Sequence, residues 1–129
     1  MQILDHLLID TDVLVDYLRN QPQAVLFIEK HYSNLFVSSI SVAELYAGVR
    51  DGSERTRLDH FITSFNVISI NCDIAVQGGL IRNKFKSSNG ISLPDALTAA
   101  TAQYYSKTLV TLNKKHYPML NVIVPYRKQ

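Results

Sequence analysis

Leu7-Leu8-Ile9 is a run suited only to burial, and it stops abruptly at Asp10-Thr11-Asp12. A carboxylate at the edge of a core is costly to desolvate unless a helix N-terminus, a basic side chain or a metal ion compensates it. The stretch therefore calls for a short buried strand with an acid at its end. It constrains the fold strongly, because the rest of the chain repeats the same theme of apolar run followed by helical pattern.

Residues 7–9 read as that strand, and 13–19 as a helix that begins just after the acids. A second helical stretch, 22–32, opens with Pro22 and carries Val25, Leu26 and Ile28. "LFVSS" is the next strand, and "SVAELYAGVR" (41–50) is a helix with Val42, Leu45, Tyr46 and Val49 on one face. Residues 54–64 look helical, "NVISI" is a strand, and 73–86 is a helix in which Ile74, Gly78, Ile81 and Phe85 align. The Gly78-Gly79 pair weakens that helix by about 1 kcal/mol per glycine relative to alanine. Close packing against another helix or a second subunit would account for the pair. "SSNG" is a turn, 93–106 a helix rich in Ala and Thr, "TLVTLN" a strand and "NVIVP" a last, short edge strand.

Strands alternate with helices and hairpin signals are absent. The expected architecture is α/β, a mostly parallel sheet of four to five strands with helices on both faces. In such a sheet ligands sit beyond the carboxyl ends of the strands, near a switch in strand order. Asp10 and Asp12 lie at one such end and Asn113 at another.

With 129 residues, 47% of them apolar and 19% charged, the chain has the make-up of one globular domain, 1–129, large enough for a proper core. No apolar stretch approaches a membrane span and no charged-then-apolar leader precedes the first strand, so a cytoplasmic protein with no membrane partner is expected. The single Cys72 leaves no disulfide framework and no Cys-based zinc site. A net charge of +2 is too small to argue for nucleic acid by itself. Its distribution is uneven, with Arg82, Lys84, Lys86, Lys107, Lys114, Lys115, Arg127 and Lys128 loading the second half.

Two further acids share a pattern. Glu44 closes "SVAE" and Asp95 closes "SLPD", and each string matches a capping box, with the acid favoured by the positive end of the helix dipole. Asp10 or Thr11 is an equally good cap for the first helix. Singly, each acid reads as a cap. Jointly they read differently, since each follows an apolar strand end or starts a helix at the same edge of a parallel sheet. Carboxylates that converge raise one another's pKa or demand a cation. A hard divalent ion with oxygen ligands, Mg²⁺ or Mn²⁺, suits such a cluster, and one or two such ions activate water for phosphodiester cleavage.

The strings "LLIDTDVLVDYLR", "VSSISVAELYAGVR", "ISLPDALTAATA" and "LVTLNKKHYPML" occur in order, at spacings that resemble the PIN-domain ribonucleases of the VapC toxin type. The resemblance covers essentially the whole chain, and its force lies in all four strings together. It implies a PIN-like α/β sandwich and a metal-dependent endoribonuclease acting on RNA. It also implies a cognate antitoxin protein as partner, and usually a homodimer. Carried over residue by residue, it makes Asp10, Glu44 and Asp95 the ligands of Mg²⁺ or Mn²⁺. Thr11, Asp12 and Thr111 are read as supporting residues, Thr11 orienting Asp10 through a side-chain hydrogen bond or capping the helix.

The chain departs from the family at two places. Asn113 stands where a fourth acid is common, which puts a second metal in doubt, and Asp12 stands where Asn is common and partly restores the charge. Asn113 is kept among the catalytic residues as a group able to meet water or phosphate. His116 invites a general-base role but reads better as a surface or packing residue. Lys114, Lys115, Arg82, Lys84 and Lys86 read as a phosphate-attracting rim or an ordinary solvated face. Tyr104, Tyr105 and Phe85 read as core rather than base-stacking groups, and Arg50 and Arg19 as structural partners of the acids. Two rival classes remain. A haloacid-dehalogenase-like phosphatase would use Asp10 as nucleophile and Asp12 as general acid, but it leaves Glu44 and Asp95 without roles. A non-catalytic protein-binding module would explain the missing fourth acid. A receiver domain fits the length but lacks its strand-end phosphoacceptor.

Overall fold

The computed structural model of the protein describes residues 6–127, so Lys128 lies outside the described residues. Among these, five strands form one sheet: β1 (Leu7–Ile9), β2 (Leu35–Ser38), β3 (Asn66–Ile68), β4 (Thr108–Val110) and β5 (Val122–Ile123). Their order is β3-β2-β1-β4-β5 and every pairing is parallel. The chain builds outward from β1 to β3, then returns to the other side of β1 with β4. The switch in strand order therefore falls between β1 and β4, where a ligand crevice is expected beyond the carboxyl ends.

Among the described residues six α-helices flank the sheet: α1 (Thr11–Leu18), α2 (Pro22–His31), α3 (Ser39–Ala47), α4 (Ser53–Thr63), α5 (Cys72–Phe85) and α6 (Leu93–Tyr104). Successive strand residues point to opposite faces, and β1 shows it directly. Leu7 and Ile9 pack with Val13, Leu14, Ile28, Leu45, Leu58 and Phe61 of α1–α4, while Leu8 packs with Ile74, Ile81, Ala96 and Ala99 of α5 and α6. All three β1 side chains are essentially inaccessible. At about 1.5–3 kcal/mol per buried Leu or Ile, β1 holds both layers to one another and fixes the position of the acid at its end.

The glycine pair has its explanation in α5 and α6. A Cβ on Gly78 would lie 2.5 Å from Leu97 Cδ2 and 3.1 Å from the Leu97 Cα, so the partner is the neighbouring helix, whereas Gly79 meets nothing within 4 Å. Two helices start two residues earlier than the sequence expectation. α1 begins at Thr11 because Asp10, in extended conformation, is its N-cap. α3 begins at Ser39, capped by Ser38, whose Oγ accepts from the N–H groups of Ile40 and Ser41, and it stops at Gly48 rather than continuing to residue 50. Ser41 consequently lies inside the helix and buried, and the expected Ser41–Glu44 capping box does not form. Ser92 does cap α6, accepting from the Asp95 N–H at 3.2 Å. Among the described residues no helix is long and apolar enough to cross a membrane.

Candidate active site

Asp10 leaves β1 at the switch point, its N–H bonded to the Val110 carbonyl of β4 at 2.9 Å. It is 5% exposed and its carboxylate is surrounded by donors. Oδ1 accepts from the Thr11 N–H at 2.8 Å, and Oδ2 accepts from Thr111 Oγ1 at 2.8 Å and from Tyr117 Oη at 3.0 Å. These bonds do not offset the burial. Desolvation first, then repulsion from Asp12 and Asp95, pushes the Asp10 pKa up to about 7 against the pull of Thr111 and Thr11. The acid is thus held in place but short of positive charge.

The other acids arrive from separate elements. Asp12, in the first turn of α1, accepts from the Val13 N–H at 2.8 Å and from the Leu112 N–H at 3.0 Å, tying the helix start to the segment after β4. Glu44 projects from the middle of α3, where Oε1 lies 2.7 Å from Thr11 Oγ1 and Thr11 Oγ1 lies 2.8 Å from Ser41 Oγ. Asp95 sits in the first turn of α6 with Oδ2 3.0 Å from His116 Nδ1. Tyr117 is buried, and desolvation together with the charges of Asp10 and Asp95 raises its pKa far above the ordinary phenol value. Its hydroxyl is a permanent donor between those two acids.

Several expectations need correcting. Thr11 orients Asp10 through its backbone N–H, while its hydroxyl serves Glu44; the side chains that orient Asp10 are Thr111 and Tyr117. His116 is an acid partner, not a bystander, and the turn that carries it is anchored by Asn89 Nδ2 to the Lys115 and His116 carbonyls. Arg50 pairs with Glu54 at 3.1 Å rather than with a site acid. Of the basic rim, Lys114 and Lys115 stand exposed beside His116, Arg82 is half-buried and Lys84 lies over the Phe85 ring. Tyr105 donates to the Ser69 carbonyl, but Tyr104 is exposed. Sequence reasoning misses Tyr117 as a donor to Asp10 and gives Ser41 a capping role in place of its contact with Thr11. Asn113 is exposed and lines an open depression of about 800 Å³ with Asp12, Lys114 and Arg127. On the far side of Glu44 a groove of about 600 Å³ runs between α1, α3 and α4, walled by Val15, Leu18, Leu45 and Val49 and by Arg19 and Arg57.

The donor set is chemically that of a hard divalent cation: carboxylate oxygens, with the most buried one lacking countercharge. Among the described residues no three His, Cys, Asp or Glu side chains stand close enough to grip one ion together. Mg²⁺ takes such carboxylate oxygens one or two at a time and keeps its remaining waters.

The sequence profile of the PIN domain matches residues 7–119. The chain belongs to the PIN-domain family. It is similar to Ribonuclease VapC19 of Mycobacterium tuberculosis, 36% identical over 92% of this chain and 97% of that one. Ribonuclease VapC10 of the same organism is also 36% identical, over 92% and 91% of the two chains. A toxin–antitoxin complex from Klebsiella pneumoniae superposes with a TM-score of 0.81 at 30% identity, covering 94% of this chain and 98% of that one. Membership in the PIN-domain family removes the phosphatase and receiver readings of the Asp10-Asp12 pair.

Proposed function

We propose that this protein, as one PIN-like domain over 1–129, is a metal-dependent endoribonuclease, the toxin of a type II toxin–antitoxin pair. The observation that carries the reading is Asp10: a buried carboxylate at the strand-order switch, its pKa pushed up to about 7 by desolvation and by the charges of Asp12 and Asp95. Asp10, Asp95 and Glu44 would hold Mg²⁺ or Mn²⁺. A bound ion supplies the positive charge that makes water nucleophilic at neutral pH and offsets charge on the phosphoryl oxygens.

The protein's own groups do the rest. Thr111 and Tyr117 fix the orientation of Asp10, Thr11 fixes Glu44, and His116 holds Asp95. Asp12 locks the start of α1 to the segment after β4, which keeps Asn113 at the mouth of the site, where its amide meets phosphate or water. Lys114 and Lys115 draw the RNA backbone toward it. The antitoxin docks in the groove beside Glu44, where apolar side chains of α1, α3 and α4 are flanked by Arg19, Arg50 and Arg57. A homodimer uses the apolar side chains that α5 leaves exposed, Val76 and Leu80. The compartment is the cytoplasm, where RNA and antitoxin are both met.

The test is cleavage of a structured RNA by antitoxin-free protein. Cleavage should require Mg²⁺ or Mn²⁺, stop with EDTA and resume on adding the ion back, with little hydrolysis of p-nitrophenyl phosphate. Binding of RNA without cleavage under any divalent ion would return the chain to the class of non-catalytic binding modules.

A further inference from the structure

The two oxygens of Asp10 are served unequally. Oδ2 accepts two hydroxyl donors, Thr111 Oγ1 and Tyr117 Oη, whereas Oδ1 accepts the Thr11 N–H. A carboxylate offers about four lone-pair sites, two on each oxygen. Thr111 Oγ1 also stands 3.4 Å from Asp12 Oδ2, but its shorter bond goes to Asp10, so Oδ2 meets two donors while Oδ1 meets one and keeps a site open. The Tyr117 ring is packed into the cluster under α5 and α6, 1% exposed, and comes directly after the turn that Asn89 anchors. The donor cannot swing away without leaving its place in the core.

Resting on the reading of this site as a divalent-metal centre, we infer that Tyr117 is a positioning residue with a role in ion selection. Together with Thr111 it closes Oδ2 and leaves Asp10 one oxygen to offer a divalent cation, so that the centre selects Mg²⁺ over Ca²⁺. Mg²⁺ takes six oxygens in near-octahedral geometry at about 2.0–2.1 Å and keeps its waters, so one oxygen per carboxylate suits it. Ca²⁺ takes six to eight at about 2.3–2.6 Å and gains from carboxylates that bind through both oxygens. Removing either hydroxyl reopens a site on Oδ2 and lets Asp10 present two oxygens to one larger ion.

Full-length protein is titrated with MgCl₂ and with CaCl₂ at one pH and ionic strength, by calorimetry and by the shift in melting temperature. The wild type should bind Mg²⁺ more tightly than Ca²⁺. Tyr117→Phe keeps the ring and should move the Mg²⁺/Ca²⁺ affinity ratio toward Ca²⁺ by about tenfold, the scale on which outer partners tune a metal ligand. Thr111→Val should move the ratio the same way, and Thr111→Ser should restore it. If Tyr117→Phe does not fold, the two Thr111 variants carry the comparison. A purely structural role for Tyr117 would weaken both ions alike; tight Mg²⁺ binding with an unchanged ratio in every variant overturns this inference and leaves the metal centre standing. Failure of the wild type to bind either ion overturns both.

Discussion

On the β1 side of the site, Asp10 is 5% exposed and takes hydrogen bonds from Thr11, Thr111 and Tyr117; on the α3 side, Glu44 is exposed and is met by Thr11 Oγ1. The first acid is built into the core by residues more than a hundred positions away in sequence. The second is tethered by one hydroxyl at the surface. The difference separates two jobs that a metal-binding carboxylate can have. On the proposed reading Asp10 would fix where the ion sits, and its burial carries the electrostatic cost of keeping that place ready. Glu44, exposed and met by one hydroxyl, is free to adjust. Shifting the Asp10 pKa from 3.8 to about 7 corresponds to roughly 4 kcal/mol between its charged and neutral forms.

The largest expected effect comes from that cost. Because the folded protein holds the Asp10 proton more tightly than the unfolded chain, it binds more protons between about pH 4 and pH 7. The Asp10 contribution to metal-free stability is therefore full below about pH 4, falls as pH rises and is lost above about pH 7. Asp10→Asn should remove this slope, leave the metal-free melting temperature at pH 8 unchanged or higher, and abolish the stabilisation by Mg²⁺. RNA cleavage should fall by at least about 10³-fold, beyond the 10–100-fold typical of residues that only support a ligand. Melting curves in EDTA from pH 4 to 8, for both proteins, check the sign. A slope that survives in Asp10→Asn would place the titrating group elsewhere.

Next in size is Asp95, which stands between the two extremes, with its side chain 24% exposed and partnered by His116. The α6 cap is Ser92, so Asp95→Asn should cost only about 0.5 kcal/mol through the helix dipole. Cleavage should nevertheless drop by about 10²-fold or more, since a ligand must exceed the effect of its supporters. Losing stability while keeping activity would return Asp95 to the capping role that its "SLPD" string suggests.

The same contrast governs what can be read from the sequence. The alternation of short apolar runs and helical periodicity carries the parallel sheet, and Leu7-Leu8-Ile9 before Asp10 marks the strand end where the site lies. Those are local signals. The partners of the acids are not local: Thr111 and Tyr117 reach Asp10 across 101 and 107 positions, and Thr11 reaches Glu44 across 33. The return of β4 to the side of β1 brings the first two to Asp10, and the pairing of β1 with β2 brings Thr11 to Glu44. The false capping box at Ser41 has a different origin. Ser38, Ser39 and Ser41 all precede Glu44, and β2 ends at Ser38, so the cap forms there and Ser41 is carried into the buried face toward Thr11. His116 escapes a reading of the sequence because a lone histidine carries no pattern, and its meaning depends on an aspartate 21 positions away.

The smallest expected effect tests whether Glu44 is as loosely held as it looks. Thr11→Val keeps the shape of the side chain at the first position of α1 and leaves the backbone N–H that serves Asp10 in place. It deprives Glu44 of its donor and Ser41 of its partner. Ser41 is fully buried, so the lost partner should cost about 1–2 kcal/mol of stability. Cleavage should fall by about tenfold, the effect of freeing one outer ligand by roughly 1.4 kcal/mol, while the affinity for Mg²⁺, set by Asp10, changes little. Thr11→Ser should restore both stability and rate. A loss in Thr11→Val as deep as that of Asp10→Asn, with Mg²⁺ binding gone, would mean that Glu44 anchors the ion as firmly as the strand-end acid and that the division between the two sides is wrong.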